Sequence, residues 1–270
     1  HRVLALSRKT GDQTYMRASD IPANGYYSVP HSGKWNGREI RHVYLLDVPN
    51  EGMRQPLYYG AEDFLDFLGI YTAEGHSRHT TKEEHGYNSW EIVVTQRNDT
   101  KRQYIIDLCR KMDLSFTVQK EDGKDENIVI SGRMFYETIV SLVPGKAKEK
   151  QLPMWVKGLN TRLIEKVFYG ITFGDGSMPE KKTWSFITSS ERLCWDYCEL
   201  CIKLGYSPKV YHRTNVKYPH YEVYIRRKAA GRIKHKDIVP YKGIVWDLTI
   251  PDGNFLAYQN GNFFFTGNCP

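Results

Sequence analysis

Two carboxylates in this 270-residue chain, Glu74 and Asp175, close two versions of one phrase. The first runs Phe67-Leu68-Gly69-Ile70-Tyr71-Thr72-Ala73-Glu74-Gly75, the second Phe168-Tyr169-Gly170-Ile171-Thr172-Phe173-Gly174-Asp175-Gly176. Small residues four apart, Gly69 with Ala73 and Gly170 with Gly174, fall on one face of a helix. Two such faces let their helices approach closely. The acids then lie side by side at the two helix C-termini, where the helix dipole and each other's charge disfavour ionisation, so something positive belongs between them. Paired carboxylates beside a basic surface suit Mg²⁺, which prefers oxygen ligands and leaves room for phosphate and water. Metal-assisted phosphodiester cleavage is the natural reaction. A second chemistry is written at the other end, in Asn268-Cys269. The Asn amide can attack its own carbonyl, closing a succinimide and breaking the following peptide bond, and the Cys thiol can accept an acyl group.

The elements that must position these groups follow from periodicity. Helices are predicted at Ala61–Glu74, Thr100–Met112, Arg133–Val143 and Ser190–Leu204 and over the second phrase, with Gly75 and Gly176 in the left-handed position that ends a helix. Strands are predicted at Trp90–Thr95, Ser115–Gln119, Asn127–Ser131, Thr183–Thr188, Pro208–His212 and Tyr221–Arg226, and the segment between Glu74 and Asn88 reads only as polar. The second half restarts the order of the first. Gly69 matches Gly170, Trp90 matches Trp184, Leu108 matches Leu200 and Ile128 matches Val223, at offsets of 101, 94, 92 and 95 residues. Offsets this steady mark an internal repeat. The ends of the chain differ in texture. Arg2–Leu6, Tyr26–Val29 and Arg41–Leu46 at one end, and Gly243–Ile250, Asn254–Ala257 and Asn262–Thr266 at the other, read as short strands between turns such as Asn260-Gly261.

The net charge of +7 is concentrated. Between Lys209 and Lys236 lie nine of the 38 Lys and Arg residues and one of the 31 acids, so the rest of the chain is one charge short of neutral. Because this stretch alternates with Val210, Tyr211, Val223, Tyr224 and Ile225, it reads as a basic β-surface for nucleic acid, with Lys209, Arg213, Lys217, Arg226 and Arg227 as DNA contacts. No run approaches a membrane span and the first residues lack a signal-peptide plan, which predicts a soluble intracellular protein with no membrane partner. Cys194, Cys198 and Cys201 fall on one helical stripe and are predicted as buried thiols.

From about Leu57 to Lys236 the chain resembles the LAGLIDADG homing endonucleases in the form with both motif copies in one chain. The resemblance implies two αββαββα repeats about a pseudo-twofold axis, a saddle of strands on double-stranded DNA, and Glu74 and Asp175 as the metal-binding catalytic acids with Mg²⁺. Glu74 stands where Asp is more usual, and Lys209 and Arg226 are candidates for the family's central basic residues.

The ends resemble an intein, a Hint-type protein-splicing domain. The resemblance makes Asn268 the cyclising residue, Cys269 the first residue of the C-extein, Asp247 the assisting aspartate and His1 the histidine of the N-terminal splicing block. Gly267 and Asn254 occupy positions where histidines are usual, and the first intein residue is absent. The fold expected is therefore α+β, an all-β Hint-type module interrupted by an endonuclease domain. The boundaries are 1–56 and 237–268 for the Hint module, 57–236 for the endonuclease (repeats 57–150 and 151–236), and 269–270 for the extein. The partners this implies are DNA, an N-terminal intein segment in the same precursor or in trans, and flanking exteins, and the expected location is the cytoplasm of a microbial or phage-encoded system. The alternatives are a free-standing LAGLIDADG endonuclease or RNA maturase without splicing, and an intein with a decayed endonuclease.

Overall fold

The computed structural model describes residues 2–46, 57–120, 126–177, 183–227, 230–244, 248, 250, 251 and 253–267. Five strands, β1 (Arg2–Ser7), β2 (Gln13–Arg17), β3 (Tyr27–Pro30), β4 (His42–Tyr44) and β5 (Tyr58–Gly60), precede helix α1 (Ala61–Glu74). There follow β6 (Gly75–Thr80), α2 (Lys82–His85), β7 (Ser89–Thr95), α3 (Asp99–Lys111), β8 (Phe116–Gln119), β9 (Asn127–Ser131) and α4 (Arg133–Leu142). Short α5 (Met154–Lys157) leads into α6 (Thr161–Asp175), then β10 (Gly176–Ser177), β11 (Trp184–Thr188), α7 (Glu191–Lys203), β12 (Ser207–Arg213) and β13 (His220–Arg226). β14 (Ala230–Arg232), β15 (Asn254–Gln259) and β16 (Asn262–Gly267) complete the described elements. They form two compact units: unit 1 is His1–Lys34, Cys201–Tyr211 and Tyr224–Pro270, and unit 2 is Trp35–Leu200 and His212–Val223.

Unit 2 is organised on α1 and α6. Phe64, Leu65, Phe67, Leu68 and Ile70 of α1, and Val167, Phe168 and Ile171 of α6, expose no surface. Burial of each such side chain contributes about 1.5–3 kcal/mol. The glycines set the spacing. A Cβ on Gly69 would lie 2.5 Å from the Val167 carbonyl oxygen and 3.0 Å from the Gly170 Cα, and one on Gly170 would lie 2.5 Å from the Asp66 carbonyl oxygen. The helices therefore touch backbone to backbone, as the small-residue spacing predicts.

In unit 2, β6, β7, β9 and β8 form an antiparallel sheet in that order, and the strand order β10, β11, β13, β12 repeats it in the second half of the chain. β7 buries Ile92, Val93 and Val94 in succession, so both of its faces are covered. At α3 the Asn98 side chain accepts from the Lys101 N–H at 3.0 Å, Asp99 occupies the first turn, and Arg110 and Lys111 the last. That arrangement caps the free amides and suits the helix dipole. The first repeat has the order αββαββα if the single turn of α2 is set aside. The second has no helix after β13 among the described residues, because the residues beyond Arg226 are basic, polar and rich in Gly and Pro, without an apolar stripe.

Five strands were not evident from periodicity: β2, β5, β6, β10 and β14. β6 replaces part of the predicted polar segment, since four consecutive residues, His76 to His79, are exposed and leave no alternation to read. Of the predicted strand Gly243–Ile250, the described residues Gly243, Ile244, Leu248 and Ile250 are not in a strand, and the others lie outside the described residues.

In unit 1, β1 is central. It pairs antiparallel with β2 (Leu4 opposite Tyr15), β3 (Leu6 opposite Ser28) and β16 (Val3 opposite Thr266). β14 extends β3, and β15 pairs with β16 across a turn in which Asn260 and Gly261 have φ of 49° and 80°. Two positive φ values are what a tight hairpin requires. No helix among the described residues is long and apolar enough to cross a membrane.

Candidate active site at the paired helix ends

Glu74 and Asp175 are the last residues of α1 and α6. A Cβ on Gly174 would lie 2.8 Å from Glu74 Cγ and 2.5 Å from Ala73 Cβ, which shows how tightly the two helix ends are packed. Burial first, and the Glu74 charge second, push the Asp175 carboxyl up to about 6; Lys150 and Lys101 pull the other way. Its side chain nevertheless keeps an exposed surface. A raised carboxyl beside a second carboxylate is the signature of two acids sharing too little positive charge.

The glycines after the acids correct a sequence expectation. Gly75 (φ −85°, ψ 156°) and Gly176 (φ −118°, ψ 176°) are extended rather than left-handed, so each helix passes directly into a strand. Glycine is required there for space. A Cβ on Gly75 would collide with the Tyr71 ring, and one on Gly176 would sit 2.5 Å from the Thr172 carbonyl oxygen.

The positive group that feels both acids is Lys150, which is 6% exposed. Its Nζ donates to the Tyr71 carbonyl at 2.8 Å and the Gly75 carbonyl at 2.6 Å, and lies 5.0 Å from the Tyr71 ring centroid. Burial pulls its ammonium down to about 8, against the opposing influence of Asp175 and Glu74. An ammonium has three donors, and the two carbonyls use two of them. Gln96, also buried, donates from Nε2 to Glu74 Oε1 at 3.1 Å, and its Oε1 accepts from the Asn98 N–H at 3.0 Å, which fixes the amide. Lys101 Nζ donates to the Gly174 carbonyl at 3.1 Å and lies 5.3 Å from the Phe173 ring centroid. A cavity of about 410 Å³ opens at Asp175 and Lys150, bounded also by Thr72, Thr188, Tyr218 and His220.

Lys150, Gln96 and Lys101 escaped the sequence reading. Lys150 sits in a connector with Lys146 and Lys148, and only burial separates it from them. Gln96 carried one usable signal, its place directly after the strand that follows the first acid.

The predicted DNA contacts distribute differently. Lys209 and Arg226 belong to unit 1, and within unit 2 the buried basic residue that feels both acids is Lys150. Lys209 Nζ lies 4.9 Å from the Tyr211 ring centroid and Lys217 Nζ 5.2 Å from that of Tyr218. Arg213 donates to Glu222 Oε2 at 2.8 Å, so part of its charge is offset. Arg226 and Arg227 are exposed at and just beyond the end of β13. Cys109, Cys194, Cys198 and Cys201 are buried free thiols, and no group of three or more His, Cys, Asp or Glu among the described residues could hold a metal ion. His1, Asp247, Asn268 and Cys269 lie outside the described residues.

No family model and no curated protein matches the chain. Among solved structures it is similar to a doubly substituted I-DmoI in complex with nicked target DNA and manganese, with 13% identity over 61% of this chain and 88% of that one, and a TM-score of 0.50. It is also similar to I-DmoI with DNA and calcium (12% identity, 61% and 83% covered, TM-score 0.48). A third is the N-terminal LAGLIDADG domain of WhiA (12% identity, 62% and 76% covered, TM-score 0.41). At 13% identity the likeness is one of fold: over 61% of its length, the chain has a mixed α/β fold similar to that of I-DmoI.

Proposed function

We propose that unit 2 is a divalent-metal-dependent DNA endonuclease of the LAGLIDADG type, with Glu74 and Asp175 as its metal-holding acids. The observation that carries this reading is the convergence of two helix-terminal carboxylates beside the buried Lys150. The donor set fits Mg²⁺ or Mn²⁺. Two hard carboxylates and no larger ligand cluster suit an ion that keeps several waters and takes further oxygens from phosphate. Such an ion, when bound, supplies activation of water and stabilisation of the leaving oxygen. The chain's own groups do the positioning. Gln96 orients the Glu74 carboxylate, Lys101 holds the last turn of α6, and Lys150 ties the last turn of α1 to Gly75 and places a cation next to the acids. Lys209, Lys217, Arg226 and Arg227 supply positive charge for the DNA backbone, the sequence-independent part of binding.

The test is a cleavage selection on a randomised duplex library with Mg²⁺. The wild-type chain should yield a preferred site, and Glu74→Gln and Asp175→Asn should each bind that site without cutting it. Undiminished cutting by either variant removes these acids from the chemistry. Cleavage of RNA alone would favour the maturase reading, and site binding without cutting by the wild type would favour a decayed nuclease.

A second reading, that the chain is the endonuclease-bearing portion of an intein, is favoured by one observation. Strands from both ends of the chain, β1 and β16, pair within unit 1, and in the sequence Asn268-Cys269 follows directly on β16. In this reading His1, Asp247, Asn268 and Cys269 carry the splicing chemistry, with an N-terminal intein segment and exteins as partners. Mass spectrometry of a reconstituted precursor tests it: Asn268→Ala should abolish C-terminal cleavage, and release of free downstream extein would reject the role.

A further inference from the structure

A cavity of about 390 Å³ in unit 1 is bounded by His31, Ser207, Arg226, Ala230, Gly231, Arg232 and Lys234. Among the described residues that line it are three cations and no carboxylate. Arg226, Arg232 and Lys234 have no ion-pair partner among the described residues. Like charges gathered on one concavity raise its potential and favour entry of an anion. The fourth polar group is His31, whose Nδ1 lies 2.8 Å from the buried Ser207 hydroxyl. Burial, and then Arg226, hold the imidazole below its usual range, so the ring is neutral at neutral pH. When the Ser207 hydroxyl donates to Nδ1, Nε2 carries the ring proton and becomes a fourth donor. Gly231 keeps that edge open, since a Cβ there would lie 2.6 Å from His31 Cε1 and 2.7 Å from Nε2.

The geometry points to a phosphate-binding site formed by Arg226, Arg232, Lys234 and His31 Nε2. Two planar guanidinium forks with an ammonium and one neutral N–H match the several oxygens of a tetrahedral oxyanion, and Arg is the preferred partner for phosphate of this kind. The cavity has the volume of roughly a dozen waters at ~30 Å³ each, enough for a phosphodiester with parts of its flanking groups. The phosphate has two possible sources, the DNA backbone and free phosphate, and the first of these rests on the endonuclease reading.

The test uses the full chain with ¹⁵N-labelled histidine and inorganic phosphate as the probe, against chloride at equal ionic strength. The His31 ring signal should move saturably with phosphate and not with chloride. The double variant Arg232→Gln/Lys234→Gln, which alters two exposed side chains, should bind phosphate at least ten-fold more weakly. Gly231→Ala should do the same without removing a charge, by pressing on the His31 ring. A phosphate response at His31 no greater than with chloride, or equal phosphate affinity in the double variant, overturns the site. A second arm places single neutral methylphosphonates along a bound duplex. One position that weakens the wild type but not the double variant identifies a backbone phosphate, and the salt slope of binding should then fall by about 0.9 in that variant. Phosphate binding with no such position identifies free phosphate as the occupant. The inorganic-phosphate arm needs neither DNA nor metal, so its failure is separable from failure of the endonuclease reading.

Discussion

Replacing Gly170 by Ala tests whether α1 and α6 truly meet at the backbone. In an exposed helix this change stabilises by roughly 1 kcal/mol, because Ala restricts the unfolded chain and favours helix. Here the new methyl would lie 2.5 Å from the Asp66 carbonyl oxygen, 2.9 Å from the Ile70 nitrogen and 3.0 Å from the Gly69 Cα, all backbone atoms of α1. Ordinary carbon contacts lie at about 3.5–4.0 Å, so the helices must part by about 1 Å. None of the three atoms can rotate away. Overpacking of this sort costs about 1–3 kcal/mol, and the separation also loosens contacts along both helices. The net expectation is a destabilisation of about 1–2 kcal/mol, or roughly 2–8 °C in the thermal midpoint of unit 2. Urea titration followed by fluorescence measures the loss, and cleavage of a selected DNA site reports the separation of Glu74 from Asp175. A midpoint that rises, as it would for an exposed helical glycine, refutes the packing argument.

Three further outcomes follow from the same geometry. In metal-free buffer, Asp175→Asn should stabilise the chain above about pH 6 and leave it unchanged below about pH 4, because the folded carboxyl is raised above its ordinary 3.8 and its ionisation therefore costs stability; urea midpoints across pH measure this. Lys150 is depressed from 10.5 to about 8, so the unfolded chain binds its proton more tightly and wild-type stability should rise from pH 8 towards 10.5; Lys150→Met should flatten that rise and reduce cleavage at least ten-fold. Lys217→Gln should lower the salt dependence of DNA binding more than Arg213→Gln, since Arg213 is already engaged by Glu222, and equal slopes in a fluorescence-anisotropy titration would contradict this.

The helix pair and its acids were legible because the small-residue spacing occurs twice, and backbone contact between helices demands that spacing. The strands β7 and β9 were legible for a related reason, in that their consecutive buried β-branched residues have few other uses. The conformation of Gly75 and Gly176 was not legible. A left-handed cap and a position crowded by the preceding turn exclude the same Cβ, and only coordinates distinguish them. Lys150 was hidden for a different reason: its burial comes from where the connector crosses the helix ends, while its neighbours in sequence are exposed lysines. β2 and β6 were missed because they pair through backbone hydrogen bonds while presenting mostly exposed polar side chains, which leaves no period of two in the sequence.

The central claim is that Glu74 and Asp175 share divalent metal. Anomalous scattering from crystals of the full chain bound to its selected duplex with Mn²⁺ tests this most directly. A manganese peak within about 2.2 Å of carboxylate oxygens of Glu74 and Asp175, lost or weakened in Asp175→Asn, is the result expected. Manganese bound elsewhere, or a peak at the helix ends unchanged by that substitution, would contradict it.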